Sequence, residues 1–467
     1  MASQPETRTE LTVTIRNRVS VYPKTLHPPK ILNLSNLDRQ CPNLMYLVLF
    51  YKSPSDHHAN TNNSVFSSLQ SGLEETLSFW YPAAGRLKLN PNDGKLNLWC
   101  NNEGAVLVEA VTQVKLSELG DLSQYNELFE KLVYKPVFNP NLSDMPLVVA
   151  QVTKFGCGGY SVGVGASHSL FDGPATFDFL SAWASNSEIT KQKASHDQLQ
   201  LTKPVHDRGP LLSVANNSLA RMTKMRATAI DHLYQLIQQA LGSDRNLGAD
   251  QRLFGDRNPY VLKTFHLSDA MIKKLKMKIL GEKKDGFSCS SFEAVAAHLW
   301  KARTKALGVD KEKMVCLQFS MDIRNKIQPS LPKGFAGNAF VLVSVTLTAG
   351  ELERESNETI IEKIKQAKNC VNNDYVNAYM EALDGSESTV LPPLEELTMV
   401  SDWTRMPFHK VELLPGNAVY ASPLVSPVPQ VAYFMQNPID FRGIDVRIGL
   451  PPQALDAFSH YFFMSMY

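Results

Sequence analysis

Two blocks of mixed strand and helix patterns, separated by a long polar stretch, constrain the fold more than any other feature of this sequence. The stretch over residues 186–226 is polar, contains Pro and Gly turn signals and lacks a regular apolar pattern. A length of 467 residues is enough for two or three domains. We therefore predict a mixed α/β (α+β) protein with an N-terminal domain over residues 1–190, a crossover over 191–258 and a C-terminal domain over 259–467.

In the first block, a β-hairpin pattern leads directly into a histidine. Two apolar or alternating runs, 145–154 and 159–167, are joined by a Gly-rich turn sequence over 155–158. The second run alternates larger apolar residues with Ser and Gly, which predicts a strand with one packed face and one small, open face. After His168, the Asp-Gly-Pro sequence at 172–174 predicts the start of a helix. The predicted order is strand, histidine-bearing loop and helix.

The second block repeats the mixture of strands and helices. Ser290 and Glu293 have the spacing of a capping box, which predicts the start of another helix. Strand-like runs cover 314–320 and 339–348 on either side of a loop rich in Pro and Gly, and a charged helix is expected over 351–372.

The charge balance argues against a nucleic-acid-binding protein. Lys and Arg number 47 and Asp and Glu number 46, which gives a formal net charge of +1. The chain therefore has no excess of positive charge with which to neutralise phosphates. We expect small-molecule or protein partners and no nucleic acid.

The N-terminal sequence and the cysteines bear on the compartment. The N-terminus is polar without the apolar core of a signal peptide, and no stretch approaches the ~20 apolar residues of a membrane span. Six cysteines are scattered without Cys-x-x-Cys spacing, which favours free thiols in a reducing compartment over disulfides or a zinc site. We expect a cytoplasmic protein with no membrane span and no metal site.

His168 is the first candidate for a catalytic residue. An imidazole has a pKa suited to proton abstraction near neutral pH, and the small residues Gly163, Gly165 and Gly173 would let a substrate approach it. Its spacing to Asp172 is weakly specific, because a His-x-x-x-Asp pair arises by chance in about half of chains of this size. On this pattern alone, a structural histidine is the more frequent explanation.

Several other blocks accompany this histidine motif in a fixed order. They lie at 34–38, 81–87, 151–184, 291–300, 322–324, 331–338, 401–407 and 443–446. In content and order these blocks resemble the plant BAHD acyl-CoA-dependent acyltransferases. Because the matching blocks span nearly the full chain in one order, chance is a poor explanation for the resemblance.

The resemblance implies a fold, a reaction and a set of catalytic residues. The fold would be a two-domain, chloramphenicol-acetyltransferase-like one with a channel between the domains and His168 at its middle. An acyl group would pass from acyl-CoA to an alcohol or amine in a ternary complex without an acyl-enzyme, and His168 would be the general base. Trp403 and Ser401 match the family's proposed donors to the oxyanion. Acyl-CoA would be a co-substrate, no tightly bound cofactor is implied, and the family is usually monomeric.

The resemblance gives the rest of the histidine motif a structural role at the site. In the family, the aspartate at the position of Asp172 points away from the substrate and pairs with an arginine, for which Arg324 is the candidate here. Gly173 completes the motif. Loss of Asp172 would leave a buried cation unpaired and would impair folding more than chemistry.

The sequence departs from the family where an Asp-Phe-Gly-Trp-Gly motif is usual. Residues 412–416 read Glu-Leu-Leu-Pro-Gly, so only the acid and the last glycine remain. In the family this segment is thought to shape the CoA site. Glu412 and Gly416 are therefore the candidate CoA-binding residues, and the change would weaken CoA binding.

A second departure is Asp402, where the family usually has Ser. A carboxylate facing the oxyanion donors would oppose catalysis by like-charge repulsion. Strand alternation predicts instead that Asp402 faces away from Ser401 and Trp403.

Two further features leave alternatives open. The segment 47–51 has Leu at two positions where hydroxycinnamoyl-type members have hydroxylated side chains, which favours an apolar acceptor such as a lipid-like, terpenoid or steroid alcohol. The alternative is that these leucines are core strand residues. The lysines at 273–278 and 283–284 could contact CoA phosphates, but a solvated helix face is the more frequent arrangement.

The function with most support from the sequence is therefore a CoA-dependent acyltransferase. The alternative is a homologue that keeps the fold and acts as a binding partner or regulator of a lipid-modifying enzyme, which the divergent segment 412–416 favours. A third reading is altered chemistry at the same site, such as a lyase that uses His168 as its base.

Overall fold

The computed structural model describes most of the chain and divides it into two compact units. The described residues are 12–40, 44–53, 65–137, 139, 141–187, 202–214, 260–281, 288–384, 396–424 and 430–464. Unit 1 comprises Met1–Asn33, Leu44–Pro204 and Phe408–Leu424. Unit 2 comprises Leu34–Asn43, Val205–Pro407 and Val425–Tyr467.

Both units contain strands and helices. The strands are β1 Thr14–Val21, β2 Lys30–Leu32, β3 Leu44–Tyr51, β4 Arg86–Leu89, β5 Leu96–Cys100, β6 Ala105–Val111, β7 Val148–Lys154, β8 Tyr160–Ser167, β9 Val261–Leu267, β10 Met314–Asp322, β11 Phe340–Thr348, β12 Leu397–Asp402, β13 Tyr420–Leu424, β14 Val431–Gln436 and β15 Ile444–Leu450. The α-helices are α1 Asn36–Arg39, α2 Val65–Phe79, α3 Gly173–Asn186, α4 Gly209–Val214, α5 Asp269–Leu280, α6 Ser291–Ala306, α7 Ala349–Arg354, α8 Asn357–Asn369, α9 Asn373–Asp384 and α10 Leu455–Met464.

Unit 1 is built on a six-stranded sheet with the order β1-β6-β7-β8-β3-β13. Only β6 and β7 pair in parallel, and the other neighbours are antiparallel. Helices α2 and α3 pack against each other. The Trp183 indole of α3 donates to the Leu69 carbonyl of α2 at 2.7 Å. On the sheet, Val48 and Phe50 pack against Phe129 in an apolar cluster. A smaller sheet has the order β2-β5-β4.

Unit 2 is built on a second six-stranded sheet with the order β11-β10-β12-β14-β15-β9. Strand β12 lies between β10 and β14 and is parallel to both. Its large core includes the fully buried Trp300 of α6 and the aromatic cluster of Phe265, Phe458 and Phe462. No helix among the described residues is long and apolar enough to cross a membrane.

The predictions that rest on strong local sequence patterns are confirmed. Strands β7 and β8 form the predicted antiparallel hairpin, and α3 begins at the predicted Asp-Gly-Pro sequence. The capping box of Ser290 and Glu293 opens α6. The prediction of a single charged helix over 351–372 is wrong. Ser356 accepts a hydrogen bond from the Thr359 backbone N–H and starts α8 separately from α7.

The small face of β8 is not open, contrary to the sequence prediction. A Cβ atom on Gly163 would lie 2.2 Å from the Leu132 carbonyl oxygen, and one on Gly165 would lie 2.6 Å from the Tyr46 ring. These glycines make room for the protein's own chain, so they do not provide substrate access to His168.

Both units are discontinuous in sequence, whereas the sequence predicted contiguous domains over 1–190 and 259–467. Residues 408–424 belong to unit 1 because β13 pairs with β3. Residues 34–43 belong to unit 2, where the buried Asp38 carboxylate accepts hydrogen bonds from Arg208 and from the Asn338 backbone and side-chain amides. Of the predicted crossover 191–258, only 202–214 lies within the described residues.

Candidate active site

His168 lies on a tight turn that directly follows β8. The backbone N–H groups of Leu170 and Phe171 both donate to the Ser167 carbonyl, at 3.0 and 3.1 Å. Leu170 is fully buried, and the Phe171 ring stacks on Phe179 with ring centroids 5.1 Å apart. His168 itself is only half-buried, whereas the residues on either side of it in the turn are buried. The packed neighbours thus hold the turn in place, and His168 keeps part of its surface exposed.

Asp172 forms the N-cap of α3. Its carboxylate accepts a hydrogen bond from the Ala175 backbone N–H at 3.0 Å, and its side chain is buried. Gly173 is the first residue of the helix, followed by Pro174, whose missing N–H costs nothing at this position. The sequence predicted the helix start, and the structure adds the capping bond that fixes the direction in which the chain leaves the histidine turn.

Ser401 and Trp403 are brought together at the end of β12, in unit 2. The Trp403 indole N–H donates to the Ser401 hydroxyl at 3.0 Å. The indole also meets the Tyr433 ring edge-on, with centroids 5.6 Å apart, and Tyr433 is the β14 partner of Ser401. A hydroxyl that accepts this hydrogen bond keeps its own proton free to donate to an oxyanion.

The Asp402 carboxylate is hydrogen-bonded to a residue nearby in the sequence. One carboxylate oxygen accepts hydrogen bonds from the Thr404 backbone N–H at 3.0 Å and from the Thr404 hydroxyl at 2.6 Å. The carboxylate therefore serves the turn that follows β12. That Asp402 faces away from Ser401 and Trp403 stays a prediction.

Arg324 is anchored within unit 2. Its guanidinium donates to the Asp322 carboxylate at 3.3 Å and to the Gly337 carbonyl at 3.1 Å. These contacts fix the guanidinium at the start of the loop after β10. Its pairing with Asp172 stays a prediction.

The divergent segment 412–416 is firmly packed within unit 1. The Tyr51 hydroxyl of β3 donates to the Val411 carbonyl at 2.6 Å, and burial raises the pKa of this phenol. Leu413 and Leu414 are buried, whereas the Glu412 side chain is exposed. Two leucines thus supply the apolar anchoring of this segment, and its acidic side chain faces water.

Gly416 ends this segment with a backbone φ of +95°. A Cβ atom there would meet nothing within 4 Å. The positive φ, and not crowding, is therefore the reason for glycine at this position.

Sequence reasoning missed His409, which precedes the divergent segment. It is buried, its Nε2 atom has no hydrogen-bond partner among the described residues, and burial lowers its pKa to about 4. Its neighbour Phe408 meets the Phe177 ring of α3 edge-on. The local sequence, with Phe408 before His409 and Lys410 after it, does not distinguish a buried histidine from an exposed one.

The segment 47–51 lies in the core of the unit 1 sheet. All five residues of this β3 segment are at most 5% exposed, and Phe50 packs on Phe129. The core interpretation of its leucines therefore holds, and the segment by itself does not support an apolar acceptor pocket.

The predicted basic stretch falls mainly on α5. Lys273, Lys274 and Lys278 are exposed, and Lys273 pairs with Asp269 one turn earlier. This arrangement is the solvated helix face, and residues 283–284 lie outside the described residues. In the part of the chain that the structure describes, no group of three or more His, Cys, Asp or Glu side chains is arranged to hold a metal ion.

Comparison with known proteins identifies a matching family model and several similar proteins. The model of the Transferase family matches residues 11–464. Brassinosteroid-related acyltransferase 1 of Arabidopsis thaliana is 52% identical over 460 residues, which cover 96% of this chain and 98% of the relative. Omega-hydroxypalmitate O-feruloyl transferase of the same plant is 31% identical and covers 92% of this chain and 88% of its own length.

A solved structure shows the same fold. TRI101 of F. sporotrichioides, solved in complex with coenzyme A and T-2, has a TM-score of 0.69 at 14% sequence identity. The match covers 92% of this chain and 97% of that protein. At this level of identity the likeness concerns the two-domain, chloramphenicol-acetyltransferase-like fold alone. Together with the family model and the relatives, it shows that the chain belongs to the BAHD acyltransferase family and is an acyl-transferring enzyme.

Proposed function

We propose that this enzyme transfers an acyl group from acyl-CoA to a hydroxyl group of a lipophilic acceptor, with His168 as the general base. The observation that carries this proposal is the half-buried imidazole of His168 on a turn whose other residues are buried. Such a turn holds one titratable side chain at a fixed position and leaves it accessible to a substrate.

The proposed reaction has two bond changes at the thioester carbon. As the acceptor oxygen attacks this carbon, its proton passes to an imidazole nitrogen of His168. The tetrahedral intermediate then expels the CoA sulfur, which takes the proton from the imidazolium. General-base catalysis of this kind contributes typically ~10²- to 10⁴-fold in rate.

Ser401 is proposed as the donor to the oxyanion of this intermediate, and Trp403 is proposed to act through the Ser401 hydroxyl. The indole N–H that reaches the Ser401 hydroxyl orients the hydroxyl and increases its strength as a donor. Because the bond is already present, little reorganisation accompanies the appearance of negative charge.

The acceptor class rests on the relatives. One relative is named for brassinosteroids and another for ω-hydroxypalmitate, so both names refer to lipophilic compounds. We therefore propose a hydroxyl on a steroid or a long aliphatic chain as the acceptor. Binding of coenzyme A by a protein of the same fold supports acyl-CoA as the donor.

Product mass spectrometry on the purified protein tests the proposal. The panel combines acetyl-, medium-chain and aromatic acyl-CoAs with steroid alcohols, ω-hydroxy fatty acids, polar hydroxy acids and amines. We expect new esters of the lipophilic alcohols, together with release of one free CoA thiol per ester.

Two variants make this test specific. His168→Ala removes the proposed base, and His460→Ala removes an exposed histidine of α10 as a matched control. Product that vanishes only in His168→Ala supports the proposal. Equal activity in the two variants contradicts the role of His168, and a preference for polar acids or amines contradicts the acceptor class.

A further inference from the structure

Unit 2 contains a groove that shares no lining residue with the candidate active site. It lies between the C-terminal half of α6, the helix α7, the start of α8 and the end of α10, and we call it the α6–α10 groove. Its volume is about 470 Å³. Cavities that bind small molecules typically measure about 300–1,000 Å³. The groove is therefore large enough for a small organic ligand.

The charged side chains that line the groove are mostly cationic. They are Lys301, Lys305, Lys311 and one acid, Glu353. Lys311 and Glu353 form an exposed ion pair with atoms 3.1 Å apart, so the only lining carboxylate already has a cationic partner. The Glu353 carboxylate also attracts the Lys301 and Lys305 ammonium groups, so three lining lysines share one lining carboxylate.

Lys301 and Lys305 occupy adjacent turns of the same face of α6. At this i, i+4 spacing two ammonium groups repel each other. Lys301 is half-buried, and its ammonium donates to the Glu355 carbonyl. The Glu355 and Glu353 carboxylates attract this ammonium without outweighing the cost of its burial. Burial also lowers the pKa of Lys301. An anion placed between the two lysines would relieve their repulsion and compensate the partly buried charge.

The uncharged lining combines apolar and aromatic side chains with the polar Thr304 and Asn357. The Lys305 ammonium lies over the Tyr461 ring, 4.6 Å from its centroid. Leu352 and Ala302 add buried apolar surface. Burial lowers the pKa of His298, whose ring nitrogen donates to the Phe462 carbonyl at 2.7 Å.

We propose that the α6–α10 groove binds a small carboxylate that has an aromatic or aliphatic body. The carboxylate lies between Lys301 and Lys305, and the body lies against Tyr461 and Leu352. Binding at this groove is measured without turnover.

Fluorescence titration with 8-anilinonaphthalene-1-sulfonate tests the proposal, because this probe combines an anionic group with an aromatic body. Octanoate is the competing carboxylate, and octan-1-ol is its uncharged match. We expect octanoate to displace the bound probe and octan-1-ol to do so far less well. Absence of probe binding, or equal displacement by the two competitors, overturns the proposal.

Variants locate the binding. In Lys301→Met/Lys305→Met, loss of both charge-assisted contacts is expected to weaken octanoate displacement about tenfold or more. Lys305→Arg keeps the charge and should retain binding. Lys326→Met removes an exposed lysine of the same unit and should bind as the parent does. An unchanged affinity in the double variant, with thermal unfolding like that of the parent, overturns the proposal.

Discussion

His409 and His298 are histidines whose burial in the folded protein disfavours protonation. Burial lowers the pKa of His409 from its ordinary value of 6.5 to about 4 and also lowers the pKa of His298. The unfolded chain therefore binds more protons than the folded chain as the pH falls below 6.5. The resulting stability is fully present above about pH 6.5 and is lost as the pH falls towards 4.

We therefore expect the free energy of unfolding to be lower at pH 5 than at pH 7.5, as measured by urea titration. His409→Leu should reduce this difference, because one of the two groups can no longer be protonated on unfolding. His460→Leu is the control, since this histidine is exposed in the folded protein. The same pH dependence in parent and His409→Leu would show that His409 makes no contribution.

The Trp403–Ser401 hydrogen bond leads to a second prediction for single residues. If the indole acts through the hydroxyl, the two residues form one functional group. Ser401→Ala and Trp403→Phe should each lower kcat by about 10²- to 10³-fold, and the double variant by little more than Ser401→Ala alone. Multiplicative losses in kcat would show instead that each residue contacts the oxyanion independently.

At the scale of elements, the tight packing of β8 can be tested through its glycines. Gly163→Ala places a Cβ atom within 2.2 Å of a backbone oxygen, and backbone cannot move away as a flexible side chain can. We expect a loss of about 1–3 kcal/mol in the free energy of unfolding. Ser161→Ala, on the same strand face, removes a buried hydroxyl that has no partner among the described residues and should cost much less.

The start of α3 allows the two proposed roles of Asp172 to be separated. Asp172→Asn keeps a side-chain oxygen that can accept from the Ala175 N–H, whereas Asp172→Ala loses this cap. Their stabilities should differ by about 1 kcal/mol, which is the value of an N-cap. The loss of unfolding free energy in Asp172→Asn, relative to the parent, then measures the predicted pairing with an arginine. A stability equal to that of the parent would contradict that pairing.

At the scale of the whole molecule, Asp38 connects segments that are far apart in the sequence. Its fully buried carboxylate pairs with the buried Arg208 at 3.2 Å and accepts from both amides of Asn338. Asp38→Ala would leave the guanidinium buried without its carboxylate, which should cost about 3–5 kcal/mol of unfolding free energy.

A matched exposed pair provides the control for Asp38. Lys273→Gln breaks the surface pair with Asp269 in the same unit and should cost about 0–1 kcal/mol. Denaturant titration of both variants compares the two losses. Similar losses would contradict the role of Asp38 as a buried connection.

The sequence predicts those parts of the fold whose signals are local. A capping box at Ser290, a hairpin turn at 155–158 and a helix start at Asp172 each depend on a few neighbouring residues, and each is present. The alternation of β12 also predicted that Ser401 and Trp403 share a direction. The contact of Trp403 with Tyr433 was not predictable, because strand pairing is decided by residues far away in the chain.

The β3–β13 pairing also bears on how the protein is made. Strand β13 leaves a ribosome about 370 residues after β3, which takes roughly 20 to 70 s at usual rates of synthesis. During that interval the β3 edge of the sheet has no partner on that side. Its sequence, Leu-Met-Tyr-Leu-Val-Leu-Phe-Tyr, is apolar and prone to form β-structure. Until β13 has been translated, the nascent chain therefore exposes an apolar strand edge that is prone to pair with other chains.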